Sequence, residues 1–157
     1  MDIIEYSKEH QKSFKDINVE WLTEMFVVEP YDLEVISHPE KYILSGGGNV
    51  WLVQNDEGLV IGTGALMEHE EGCFELTKMA VSKAARGLGT GRFLLKFLIE
   101  KALERDCKSL FLLTNTKCES AIYLYREEGF VDSEEIRLRY GSPYERCNLG
   151  MLYEETK

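Results

Sequence analysis

Glu75-Leu76-Thr77-Lys78-Met79-Ala80-Val81-Ser82-Lys83-Ala84-Ala85-Arg86-Gly87-Leu88-Gly89-Thr90-Gly91 is the stretch on which the reading of this chain turns. It reads as a strand ending at Val81, a short glycine-rich loop carrying Arg86, and a helix that starts near Gly89 and runs through an apolar segment. A helix start exposes unpaired backbone N–H groups at the positive end of the helix dipole, a ready site for phosphate oxygens. Gly87, Gly89 and Gly91 have no side chains to hold a ligand away from those amides, and Arg86 adds a fixed positive charge. A dinucleotide fingerprint is excluded, because Arg92 stands where its third glycine would be. A P-loop is excluded too, because the chain has no Gly-Lys pair. What remains is chemistry for holding a diphosphate.

A second stretch lies downstream in register. Ser109 to Leu113 is an apolar strand closed by Thr114-Asn115, followed by Ala121-Ile122-Tyr123-Leu124-Tyr125-Arg126-Glu127-Glu128-Gly129-Phe130. Gly129 is a natural helix stop, and Phe130 opens the next strand. Arg86-x-x-Gly89-x-Gly91 resembles the acetyl-CoA loop of the GNAT family of N-acetyltransferases. The second stretch resembles that family's other signature, a strand ending in Asn followed by Ala-x-x-Leu-Tyr-x-x-x-Gly-Phe. The order and separation of the two also fit, and the resemblance is tightest over residues 73 to 131.

Composition bounds the rest. The 157 residues suit one domain, expected to span 1–157 and large enough to bury about two-thirds of its unfolded surface. There is no run of 18 apolar residues, and the charged, acidic first residues read unlike a signal peptide. The four cysteines, Cys73, Cys107, Cys118 and Cys147, form no Cys-x-x-Cys pair, which points to a reduced, cytoplasmic setting. A net charge of −10 argues against a nucleic-acid or anionic-membrane partner and suits an amine-bearing one.

Along the chain, Asp2 to Tyr6 is predicted as a strand and Glu9 to Phe26 as an amphipathic helix, with Phe14, Ile17, Trp21 and Met25 at helical spacing. A second helical patch covers Asp32 to Leu44, broken by Pro39, and the glycines at 46 to 48 form a turn. Three strands follow as a meander: Val50 to Gln54, Leu59 to Met67 and Cys73 to Val81. After the helix from Gly89 to Arg105, the strand at 109 to 114 and the helix at 118 to 128 come two expected strands, Phe130 to Tyr140 and Tyr144 to Tyr153. The order β-α-α-β-β-β-α-β-α-β-β is that of the α/β fold the resemblance implies. It is a central, mixed but mostly antiparallel sheet of about seven strands with helices on both faces.

The resemblance implies an acetyl-CoA-dependent transfer to a primary amine of a small molecule or peptide, by direct attack in a ternary complex and without a metal. A non-catalytic acyl-CoA sensor is the alternative, and a homodimer and other acyl groups stay open. In such a site Met79, Ala80 and Val81 would hold the pantetheine arm through the main chain. Arg86, Gly87, Leu88, Gly89, Thr90 and Gly91 would hold the diphosphate. Asn115 would reach the same arm, or serve only as a turn residue or helix cap. Tyr125 would protonate the departing thiolate, or be an ordinary core tyrosine. Glu75 is the candidate base; strand alternation puts it on one face with Thr77, Met79 and Val81, opposite Leu76, Lys78 and Ala80. Its alternatives are a surface glutamate, with plain water as the base. The acceptor would lie between Glu20, Trp21, Glu24, Glu29, Tyr31 and Asp32 on one side and Tyr144, Arg146 and Arg139 on the other. Acidic groups favour an amine there and an arginine favours a carboxylate, hinting at an amino acid or peptide terminus. His10, His38 and His69 lack ligand spacing; Glu68-His69-Glu70-Glu71 reads as a solvated hairpin tip. Cys118 reads as a small buried or capping residue.

Overall fold

The computed structural model of the chain describes residues 1–154. Its strands are β1 (Asp2–Glu5), β2 (Asn49–Gln54), β3 (Val60–Glu70), β4 (Cys73–Val81), β5 (Ser109–Thr114), β6 (Phe130–Asp132) and β7 (Leu149–Tyr153). The helices are α1 (Gln11–Met25), α2 (Pro30–Ser37), α3 (Pro39–Tyr42), α4 (Thr90–Leu103), α5 (Glu119–Glu127) and α6 (Glu134–Tyr140). The strands form one seven-stranded sheet in the order β1-β2-β3-β4-β5-β7-β6. Its one parallel pair is β4 with β5; every other neighbouring pair is antiparallel.

Alternation along the strands divides the core between the two faces. In β2, Trp51 and Val53 join Leu66, Leu76, Leu94, Leu95 and Leu98 on the α4 and α5 side. Val50 and Leu52 join Phe14, Val35, Ile36 and Ala65 on the α1 and α2 side. Gly64 is where α4 comes closest to β3: a Cβ there would lie 2.8 Å from Leu98 Cδ1.

The alternation expected for β4 fails at one point. Thr63 pairs with Ala80 and Ala65 with Thr77, so two steps along β3 match three along β4. The extra residue forms a β-bulge, and Lys78 there takes φ +52°, an unusual angle for a residue with a side chain. Glu75 keeps its expected face, but Met79 and Val81 pass to the α4 side, where they pack on the core. Lys78 turns instead toward α2. Polar groups of the opposite layer hold the bulge: Thr63 Oγ1 donates to the Lys78 carbonyl at 2.8 Å, and Asn18 Nδ2 donates to Thr63 Oγ1 at 3.1 Å. Asn18 is 3% exposed and Thr63 fully buried, so this chain crosses the interior.

The second departure lies near the end. The expected strand from Phe130 to Tyr140 is three residues of β6, after which the chain turns into α6; the expected final strand begins at Leu149, not Tyr144. Ser133 is the N-cap, its hydroxyl accepting from Ile136 N at 3.3 Å, with Glu134 and Glu135 in the first turn and Arg137 and Arg139 in the last. That is favourable helix-end chemistry, overlooked in a segment that also reads as alternating. Near the start, α1 is preceded by a 3-10 turn at Lys8–His10, and the second helical patch splits into α2 and α3. Asp32 Oδ2 accepts from Glu29 N at 3.0 Å, closing a capping box at the start of α2.

Thr63→Val removes the donor to the Lys78 carbonyl and the acceptor for Asn18 together. It is expected to lower stability by about 1–3 kcal/mol in urea unfolding, with faster hydrogen exchange at residues 77 to 80.

Candidate active site

The parallel ladder between β4 and β5 covers only Cys73–Glu75 against Ser109–Phe111. Beyond Glu75 the strands splay apart, because β4 bulges toward α1 while β5 continues into antiparallel pairing with β7. The wedge is a cavity bounded by Thr77, Lys78 and Met79 of β4 and by Leu112 to Asn115 at the end of β5. Cys118, Ala121 and Tyr125 of the α5 segment line it, with Trp21, Leu22 and Phe26 from α1 and its end. An extended chain placed there could pair with the free edge of β4 as an added strand does.

The glycine loop follows β4 directly. After a 3-10 turn at Lys83–Ala85, Gly87 (φ +82°) and Gly89 (φ +80°) lead directly into α4 at Thr90. Nothing lies within 4 Å of where a Cβ would stand at Gly87 or Gly89, so the loop is open to a ligand at both. The first-turn amides of α4 have no intrahelical acceptors. The donor set therefore fits an anionic diphosphate. Arg86 reaches back to α1, where Nη1 donates to both carboxylate oxygens of Glu24 at 2.9 and 2.8 Å. Glu20, expected with the acceptor residues, instead accepts from the Lys83 amide at 2.7 Å. The loop is thus clamped by two carboxylates of one helix.

One wall of the cleft carries a buried charge cluster. Arg146 Nη2 donates to Asp32 Oδ1 at 2.7 Å and Nη1 to Glu29 Oε2 at 3.1 Å. Lys78 Nζ lies 3.4 Å from Asp32 Oδ1 and 3.2 Å from the Tyr144 hydroxyl, over whose ring it sits at 5.0 Å. Tyr31 meets Tyr144 with ring centroids 5.4 Å apart. Burial pushes the Asp32 carboxyl up, but hydrogen bonds from Arg146 and the charges of Lys78 and Arg146 outweigh it and hold it below the usual 3.8. Burial pulls Lys78 below its ordinary value against the attraction of Asp32. Arg146 is therefore already matched by two carboxylates, which removes the basis for expecting a carboxylate on the acceptor. Arg139 is not in this cluster; it pairs with Glu70 on the outer face of α6.

Tyr125 and Glu75 also line the cleft. Tyr125 is 8% exposed, and burial raises its phenol well above the ordinary value, so it stays protonated. Glu75 is buried, with Oε1 2.7 Å from His69 Nε2. Asn115 is engaged within the protein: Nδ2 donates to the Arg146 carbonyl at 2.6 Å and Oδ1 accepts from Lys117 N at 2.8 Å. Cys118 is the buried N-cap residue of α5, and burial pushes the Cys147 thiol up to about 11, far from a neutral-pH nucleophile. Lys78 and His69 were not singled out for the site. A bulge that reverses strand parity and a hairpin that folds one tip residue inward hid them.

Asp32→Asn would leave Arg146 and Lys78 partly uncompensated in the interior, at an expected cost of about 3–5 kcal/mol in denaturant unfolding. Because the native carboxyl is held below 3.8, the stability Asp32 contributes is full above that pH. It is lost as pH falls through the lower native value, and the variant's acid unfolding should lack this component.

Comparison with known proteins agrees with this fold. A protein named IAA acetyltransferase from Azospirillum brasilense is 36% identical over 83 residues, covering 52% of this chain and 54% of that protein. The chain thus spans about half the length of that curated relative. A GNAT-family acetyltransferase structure from Staphylococcus aureus Mu50 superposes with a TM-score of 0.86 at 25% identity, covering 97% of each chain. An acetyltransferase structure from Streptococcus agalactiae shares the fold, with a TM-score of 0.84 at 19% identity and 98% of each chain covered. The model of the Acetyltransferase (GNAT) family matches residues 11–130, which include β4, the glycine loop and Tyr125, and the chain belongs to that family.

Proposed function

We propose that the chain is an acetyl-CoA-dependent N-acetyltransferase that acts on a primary amine of a small molecule or peptide. One observation carries this reading: a protonated tyrosine and a buried glutamate line the same strand-walled cleft, and the strand that walls it runs directly into an open glycine loop at a helix start. Acetyl-CoA supplies an activated thioester; the chain supplies placement and proton handling. The amides at the start of α4, with Gly87, Gly89 and Gly91 flanking them, bind the diphosphate. Arg86, Leu88 and Thr90 complete that loop. The exposed edge of β4 at Met79, Ala80 and Val81 binds the pantetheine arm through main-chain groups, and Asn115 braces the opposite wall through the Arg146 carbonyl. Holding amine and thioester together is worth about 7 kcal/mol or more, the largest contribution expected.

Tyr125 holds the proton that the leaving thiolate takes. Glu75 accepts the proton that the acceptor ammonium must lose, directly or through one water. Trp21, Tyr31 and Tyr144 wall the acceptor end, with Arg146 and Lys78 fixing that wall through Asp32 rather than meeting the substrate as free charges. An amine acceptor with no obligatory carboxylate suits this arrangement.

The test is calorimetric binding of acetyl-CoA followed by free-thiol release against a panel of amines. Binding with amine-dependent release supports the enzyme; binding without release from any acceptor would favour a sensor. Tyr125→Phe is expected to lower kcat about 10²-fold while leaving acetyl-CoA affinity unchanged, measured by steady-state kinetics and calorimetry on the same protein. Glu24→Gln, by freeing the Arg86 guanidinium, should tighten acetyl-CoA binding about 1.5- to 5-fold, the worth of a partly exposed ion pair.

A further inference from the structure

His69 follows nine residues of β3 and belongs by sequence to an acidic hairpin tip, yet its ring lies against the neighbouring strand rather than standing free in solvent. Its Nε2 lies 2.7 Å from Glu75 Oε1, and its side chain is 28% exposed against 8% for that of Glu75. Two aromatic rings hold it: Phe111 of β5 at 5.5 Å and Tyr140 of α6 at 5.1 Å between centroids. Tyr140 in turn stacks on Phe111 at 4.2 Å with an interplanar angle of 18°. The end of α6 is tied to the same strand as His69, because Arg139 pairs with Glu70 and the Tyr140 hydroxyl donates to Glu70 at 3.3 Å. The groups around the imidazole are therefore Glu75 of β4, Tyr140 and Arg139 of α6, Glu70 beside it on β3 and Phe111 of β5.

We propose that His69 is the positioning residue for Glu75. A neutral imidazole with its proton on Nε2 donates to Oε1, which stabilises the carboxylate and fixes its plane. One oxygen is then engaged, and the other is left to take a proton from the acceptor amine or its water. A free glutamate side chain would distribute itself over several rotamers; a carboxylate bonded to a ring packed against both Phe111 and Tyr140 does not. This gives the helix between the last two strands a purpose at the site, since α6 supplies Tyr140. The inference rests on Glu75 being the base, and its test separates the two.

His69→Leu removes the donor and keeps an apolar side chain against the rings, whereas His69→Gln keeps an N–H donor of similar reach. Thermal melts and acetyl-CoA titrations establish that each variant is folded and binds. With binding unchanged, His69→Leu is expected to lower kcat about ten-fold, the effect of losing one hydrogen bond to a charged group, and His69→Gln to restore most of it. The double variant of His69→Leu with Glu75→Gln should be no slower than Glu75→Gln alone. An unchanged kcat in His69→Leu, equal loss in Leu and Gln variants, or additive losses in the double variant would each overturn the positioning role. If Glu75→Gln itself left kcat unchanged, the base assignment would fall first and this role with it.

Discussion

The site depends on one extra residue in a strand. Without the insertion at Lys78, β4 would stay in plain alternation, and Met79 would share the face of Glu75. With it, the strand arches away from β5, Lys78 turns toward α2, and the main-chain edge from Thr77 onward faces a cleft instead of a neighbour. A lysine at positive φ does not hold such a shape by preference. Its carbonyl is held by Thr63 of the adjacent strand, itself bonded to Asn18 of α1, so three elements share the cost of the distortion. The bond from Asn18 to Thr63 lies in the interior, where a lost partner would leave a polar group stranded.

The charge cluster beyond the bulge does a different job. Taking Lys78, Asp32 and Arg146 out of water is expensive, and their mutual attraction gives little net stability in return. It does join α2, β4 and the connection before β7 into one wall, because no member can leave without exposing another's charge to an apolar interior. That wall also carries Tyr144, whose ring covers the Lys78 ammonium and meets Tyr31. The dimensions of the acceptor end are therefore set by groups that do not themselves need to touch a substrate.

Much of this was legible from residues, and the limits have physical causes. The glycine loop, the α4 start and the Asn115-to-Tyr125 segment are encoded locally: glycines supply positive φ, and helix starts and stops follow from capping chemistry. The sequence predicts seven strands and helices on both faces, but not α6, whose Ser133 cap and Glu134-Glu135 first turn lie inside the segment expected as a strand. The bulge left no mark in composition: Lys78 sits among ordinary strand residues and is forced out of register by partners 15 and 60 positions away. The same holds for Glu20, which the family resemblance puts near the acceptor and which instead accepts from the Lys83 amide. His69 looked like a solvated tip because three of its neighbours are acidic; only packing against Phe111 and Tyr140 distinguishes it from them.

The Arg86–Glu24 pair gives the loop a threshold. A small monovalent anion offers the guanidinium no more than Glu24 already does, and it gains only a few amides at the helix start. A diphosphate carries enough charge, spread over enough oxygens, to engage the amides and draw Arg86 from its carboxylate at once. A loop held in this way would discriminate by the size and valence of the anion rather than by shape alone, and the same contact ties it to the helix that carries Trp21 and Leu22 over the cleft.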